Sequence, residues 1–207
     1  MDEYRLFAYL YDPLLYIVLH RIRKKVVDVV AEYQPAAFLD ICCGTGNQLK
    51  KKKKSGFHNI KGIDISKAML QQVRKEGEKM ICDEQDATEM QFPDNTFDMG
   101  LISFALHEKP FDTARKILTE AQRVIRTGGH LMIIDYMFDS SVNGFTKKAI
   151  HLVERFAGKE HYRYFKAYSQ YGGMDRLMES FILKHQSRIH GGATGMRVYQ
   201  INKHADG

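Results

Sequence analysis

Short apolar runs alternate along the chain with polar stretches whose apolar positions recur every three or four residues. "PAAFLDI" (35–41) and "NIKGIDI" (59–65) are two such runs, "KMICDEQDA" (79–87) holds a weaker third, and "FDMGLISFAL" (97–106) and "GHLMIIDYMF" (129–138) are strong. Runs of this length bounded by turn residues read as strands. Between them lie helical patterns at 46–54, 66–76 and 111–126. In the last, Ala114, Ile117, Leu118, Ala121, Val124 and Ile125 share one face. Ser66 is positioned to cap the second of these helices, and Gly128-Gly129 to stop the third. Strand and helix in strict turn predict a parallel sheet with helices on both faces. The end of the chain differs: "FILKHQSRIH", "GGATG" and "MRVYQINKH" read as an antiparallel hairpin around glycines.

Two segments stand outside the alternation. Residues 14–33 form a helix leading into the first strand. Residues 145–181 look helical, are crowded with aromatics, and are punctuated by Asn143-Gly144 and Gly172-Gly173. With no Pro- or Ser-rich linker, the expectation is one domain over 1–207. It divides into an N-terminal helical lid (1–34), a core (36–136), a helical cap (145–180) and a C-terminal hairpin (181–204).

Composition adds limits. A chain of 207 residues buries a sizeable core without covalent staples. Its 31 basic and 25 acidic residues leave a net charge of +6, which a basic soluble surface explains. Three cysteines make no disulfide framework, so a reducing cytoplasm is expected. No run of about 18 apolar residues occurs, so no membrane-spanning helix is expected.

The chemistry starts at "FLDICCGTGNQL" (38–49), a strand end breaking into Gly44-Thr45-Gly46. Such a turn lets a ligand approach bare backbone near a helix N-terminus. A dinucleotide site wants a third glycine, but Leu49 stands there; a P-loop wants Gly-Lys-Ser/Thr, which is missing. Asp40, at the strand end, would repel a pyrophosphate and suits a cation or ammonium donor. Asp64 follows 24 residues later, near the spacing at which an acid meets ribose hydroxyls. An adenosine with a cation in place of phosphates is S-adenosylmethionine. The blander readings, Asp40 as a helix cap and Asp64 as a turn residue, explain each acid singly but not the two together. Adjacent Cys42-Cys43 lack Cys-x-x-Cys spacing, so no metal site is expected.

These motifs together resemble class I S-adenosylmethionine-dependent methyltransferases, near the small-molecule branch containing the ubiquinone/menaquinone-biosynthesis methyltransferases. The likeness covers roughly 36–136. The family's first motif, Asp-x-Gly-x-Gly-x-Gly, is matched by Asp40, Gly44 and Gly46, with Cys42 in place of its first glycine. "GIDIS" matches the second motif, which makes Asp64 the ribose ligand and places Ile65 among the cofactor contacts. "DEQDATEMQFPDNTFDMGLIS" resembles the third block, with Asp86 on the adenine amino group, helped by the backbone of Ala87. Ser103, Phe104 and Ala105 fall where strand four lines the methionine part. "EAQRVIRTGGHLMIID" resembles the turn before strand five, with Thr127 where proline is usual. The resemblance implies an α/β, doubly wound, Rossmann-like sheet of seven mostly parallel strands, the last inserted antiparallel.

The acceptor side is read from position alone. His107-Glu108 follows strand four, beside the cofactor, and His107 and His161 are candidate catalytic groups. Tyr11, Tyr16, Tyr162 and Tyr168 are candidate acceptor contacts. His151 and Glu154 lie three apart, on one helix face. An aromatic roof favours a small apolar or aromatic methyl acceptor over a nucleic acid. Methyl transfer to RNA or protein, an NAD-dependent oxidoreductase and a non-catalytic cofactor-binding protein are the alternatives. The first has only the basic balance in its favour, and the second is opposed by Asp40 and the missing glycine. A homodimer is left open.

Overall fold

A computed structural model describes the backbone of residues 4–75 and 82–203, with side chains from 19 to 73 and from 82 to 203. Tyr11 and Tyr16, expected at the acceptor, have side chains outside the described residues, as does the start of the third apolar run.

Seven strands form one sheet: β1 (Phe38–Ile41), β2 (Ile60–Asp64), β3 (Cys82–Glu84), β4 (Phe97–Ser103), β5 (Ile125–Tyr136), β6 (Ile182–Ile189) and β7 (Thr194–Gln200). Their order is β3-β2-β1-β4-β5-β7-β6. The first five are parallel, and β7 enters antiparallel between β5 and β6. The sheet is therefore the doubly wound, Rossmann-like one expected. From β1 the chain winds outward through β2 and β3, then returns to lay β4 on the other side. That reversal opens a crevice beyond the carboxyl ends of β1 and β4, the place where ligands bind in such sheets.

Alternating side chains divide the interior. Leu39, Ile41, Ile63, Ile102, Leu131 and Ile133 face one core, which is closed by α4 (Phe111–Val124) and by the cap helices α6 (Lys159–Gln170) and α7 (Gly173–Leu177). Phe38, Ile60, Met99, Leu101, Met132 and Ile134 face the other. There they meet α1 (Tyr4–Tyr33), α2 (Asn47–Lys54) and α3 (Lys67–Lys75). Along α1, Ile22, Val26, Val29 and Val30 are all buried, and each contributes about 1.5–3 kcal/mol. Burial on both sheet faces is why these strands are nearly continuous apolar runs. The edge strand β6 is instead half exposed and carries Lys184, Gln186 and Arg188 outward, which discourages edge pairing. Among the described residues, no helix is long and apolar enough to cross a membrane.

Three elements depart from the sequence pattern. Gly128-Gly129 do not stop α4: the helix ends at Val124, and β5 begins at Ile125, which pairs with Phe97. The glycines lie inside that strand. A Cβ on Gly129 would sit 2.7 Å from the Asp98 carbonyl, so the strand crosses there only without a side chain. The cap also breaks once more than expected. Gly158, at φ +128°, separates α5 (Gly144–Phe156) from α6. Finally, the run Lys50–Lys54 is not wholly a solvated helix end. Lys52 is fully buried, its Nζ 3.4 Å from the centre of the Phe38 ring.

Candidate active site

The turn after β1 is built from left-handed backbone. Cys42, Gly44 and Gly46 all have positive φ, +59°, +55° and +67°. The glycines adopt this region freely; Cys42 holds it at a cost of about 1–2 kcal/mol. The turn is tied to the end of β2 by one carboxylate. Asp64 Oδ2 accepts the Gly44 N–H at 2.8 Å, and Oδ1 accepts the Ser66 N–H at 2.9 Å. Burial raises the Asp64 pKa, and these two donors work against that rise.

Gly46 caps α2 and does not reach the cavity wall. Its Cβ would meet Val73 at 3.1 Å, so its role is close packing. The third glycine, absent at Leu49, has a counterpart the sequence reading overlooked. A Cβ on Gly62 would lie 2.4 Å from Leu49 Cδ1 and 2.9 Å from Cys43 Sγ. Strand β2 thus supplies the space that the helix does not. The missing glycine therefore argues less against a dinucleotide than expected, and Asp40 carries that discrimination alone. Asp40 is buried, and its Oδ2 has no hydrogen-bond partner among the described residues. Burial pushes its pKa up to about 7, Asp64 adds to the rise, and Lys52 and Arg23 oppose it.

One cavity of about 560 Å³ runs from this turn to the cap, a size suited to a cofactor-sized ligand. Its wall includes Asp40, Cys42, Gly44, Asp64, Ile65, Asp86, Ala87, Ser103 and Phe104, the cofactor set expected from sequence apart from Gly46. Asp86 is held by Thr88, whose N–H and hydroxyl both donate to Oδ1 at 2.8 Å. Ile65 stands 63% exposed at the rim, an apolar residue with no core to fill. The Cys42 thiol, pushed up to about 12 by burial, stays protonated.

The far end of the cavity is made by three distant segments. His107 and Glu108 come from the turn after β4, and Glu154 and His161 from the cap. His107 is anchored to Asp135, a fully buried residue of β5. Its ring Nδ1 lies 2.7 Å from Oδ1, and its backbone N–H donates to Oδ2 at 3.2 Å. Glu154 Oε2 lies 3.5 Å from His107 Nε2 and 2.5 Å from His161 Nε2. The Tyr136 hydroxyl donates to Glu154 Oε1 at 2.7 Å. Burial works to lower the His107 pKa, but Asp135 and Glu154 outweigh it and raise it well above the usual value. Burial would raise Glu154, but His107, His161 and Tyr136 hold it well below the carboxylate range.

The helix carrying Glu154 is inverted for a structural element. Its only buried residue is that glutamate, while Phe145, Leu152 and Phe156 are exposed. The aromatics expected as a roof lie elsewhere. Tyr162 stacks on Phe165 and contacts His151 Nδ1 at 3.2 Å. Tyr168 is buried behind His107, its ring 6.3 Å from the imidazole, and lines a separate groove against α4. Neither reaches the cavity wall, because α6 turns them into the core around the buried Phe165. His107 and His161 do reach it. Asp135 was missed as a site residue, although an aspartate inside "LMIIDYMF" is a signal: a buried acid needs a partner.

Residues 39–133 match the family model described as a methyltransferase domain. A demethylmenaquinone methyltransferase of Bacteroides fragilis is 32% identical over 55% of this chain and 48% of its own length. One from Bacillus licheniformis is 31% identical over 77% of this chain and 74% of its own length. The chain thus spans about half the length of some curated relatives and about three quarters of others. A Thermotoga maritima crystal structure, described as a SAM-dependent methyltransferase and possible histamine N-methyltransferase, superposes with a TM-score of 0.68. The superposition covers 97% of this chain and 99% of that one at 17% identity, a likeness of fold.

Proposed function

The chain belongs to the class I S-adenosylmethionine-dependent methyltransferases, and from that membership we propose that it methylates a small aromatic acceptor of the hydroxylated, quinol-like kind at the His107–His161 end of the cavity. The observation that carries this reading is the single cavity joining the Asp40–Asp64–Asp86 side to the histidine–glutamate cluster. The relatives named demethylmenaquinone methyltransferases supply the acceptor class.

Asp64 would take the ribose hydroxyls, Asp86 and the Ala87 backbone the adenine edge, and Asp40 the ammonium group. The orphaned Oδ2 of Asp40 fits a cationic ligand, whereas a pyrophosphate would face a buried carboxylate. Bound there, S-adenosylmethionine supplies a methyl group already activated by its sulfonium. The chain's own task is to hold the acceptor carbon in line with that methyl at about 3 Å and to keep water out. For transfer to a ring carbon, the acceptor hydroxyl loses its proton to solvent, and the His107 imidazolium, kept protonated by Asp135 and Glu154, would stabilise the resulting anion. The S–CH₃ bond breaks as C–CH₃ forms, and the proton on the methylated carbon then leaves to restore the ring. Three unbridged thiols suit a reducing cytoplasm.

The test is calorimetric titration with S-adenosylhomocysteine and with NAD, followed by transfer of labelled methyl groups to a panel of dihydroxynaphthalene and catechol acceptors. Binding of S-adenosylhomocysteine alone, with label on an aromatic acceptor, is expected. Tight NAD binding without S-adenosylhomocysteine binding would overturn the cofactor. Binding with no transfer to any acceptor would instead mark a non-catalytic protein.

A further inference from the structure

We propose that His107, Glu108 and His161 form a site for one divalent transition-metal ion of the zinc, manganese or iron type, at the acceptor end of the cavity, with one position left open. Ligand atoms of His107, Glu108 and His161 all lie within 4.8 Å of one another, with His107 buried and the other two half-buried. Glu154 Oε2 lies outside that group, on the His161 nitrogen that does not face Glu108.

Three of these side chains have one polar atom anchored and the other turned toward the shared centre. On His107, Nδ1 is held by Asp135 and Nε2 faces Glu154 at 3.5 Å. On His161, Nε2 is held by Glu154 Oε2 at 2.5 Å and Nδ1 faces Glu108. On Glu108, Oε1 is held by Lys109 at 2.6 Å and Oε2 faces His161 Nδ1 at 3.4 Å. An ion bound at about 2.0–2.1 Å in tetrahedral geometry separates its ligands by roughly 3.4 Å, so the 3.4 Å Glu108–His161 contact already matches a ligand edge. A carboxylate fixing the far nitrogen of a ligating histidine is the usual outer support of such sites, and Asp135 is placed to give it.

Two imidazoles with one carboxylate favour a borderline transition metal over magnesium or calcium, which prefer all-oxygen sets. An ion here binds an oxygen of the acceptor and favours its anion, the hydroxyl proton passing to solvent. The acceptor role rests on the methyltransferase reading above, whereas the ion site does not. With an ion bound, His107 and His161 act as its ligands.

The experiment is titration of chelator-treated full-length protein with Co²⁺, read by its visible absorption, and with Zn²⁺ in competition. S-adenosylhomocysteine binding is measured in parallel as proof of an intact fold. One equivalent of Co²⁺ should bind with a ligand-field spectrum displaced by Zn²⁺. His161→Ala should weaken Co²⁺ binding at least a hundredfold, and Asp135→Asn ten- to a hundredfold. Glu108→Gln, less buried than either, repeats the test should those variants fail to fold. 4-Nitrocatechol should perturb the Co²⁺ spectrum. Absence of stoichiometric Co²⁺ binding, or binding unchanged in both His161→Ala and Glu108→Gln, overturns the site. Full methyl transfer after chelation overturns the ion's role at the acceptor while leaving the methyltransferase reading intact. Loss of S-adenosylhomocysteine binding in the wild type removes that reading and not the ion site.

Discussion

The two ends of the cavity are made in different ways. The turn after β1, Asp64 and the segment around Asp86 form one end from contiguous motifs whose shape depends on backbone: left-handed residues, exposed N–H groups and one carboxylate tying two strand ends. The other end has no motif. His107 follows β4, Asp135 closes β5, and Glu154 and His161 come from two cap helices. There the arrangement is side chain on side chain, anchored by a buried acid. A site made from backbone tolerates change in its side chains, while one made from paired charges depends on every partner.

The sharpest way to break that contrast is Asp135→Ala. Removing it leaves the buried His107 without its main partner, which costs about 3–5 kcal/mol. Denaturant unfolding should show that loss. A change under about 1 kcal/mol would mean the acceptor end is as tolerant as the cofactor end. Asp64→Ala comes next, at the other end. Losing a charge-assisted ligand contact costs about 1.5–3 kcal/mol, so S-adenosylhomocysteine affinity should fall tenfold or more by calorimetry. Unchanged affinity would reject the ribose assignment.

Much of the cofactor end was legible because its information is local. "DICCGTG" and "GIDIS" each hold their candidate residues within a few positions, and strand and helix in strict turn indicated a parallel sheet. The start of β5 was not legible. The helical periodicity of 111–126 continues past Val124, and only pairing of Ile125 with Phe97 ends the helix. The acceptor end was half legible. His107 and His161 line the cavity, yet Tyr162 and Tyr168 do not, because helical aromatics give no sign of whether they face cavity or core. Asp135 meets His107 28 residues away and Glu154 meets Tyr136 18 residues away, spacings that no local pattern encodes.

A smaller effect concerns pH at the cofactor end. With its pKa raised mainly by burial to about 7, Asp40 ionises near neutrality. A cationic cofactor favours the ionised form, so S-adenosylmethionine affinity should fall as pH drops below about 7, and Asp40→Asn should abolish that slope. For folding the sign is opposite. The stability Asp40 contributes is full below its unfolded value of 3.8 and is lost as pH rises through about 7. A pH-independent affinity in the wild type would detach Asp40 from the cation. The smallest effect is Cys42→Gly. Relief of a left-handed non-glycine residue should stabilise the protein by about 1 kcal/mol, seen as a higher melting temperature, with cofactor affinity retained. Destabilisation would mean that the thiol packs better than its backbone strain costs.

The meeting of Gly62 with Leu49 bears on how such a sequence can change. The gap between β2 and α2 holds one side chain, and here the helix supplies it. Leu49→Gly alone opens a void, and Gly62→Ala alone drives a methyl group into Leu49. Only a joint exchange moves the bulk from helix to strand. The two positions therefore behave as one character with two spellings. A lineage that has adopted one spelling is held there by the other, and an ancestor carrying glycine at both sites is the natural bridge between them.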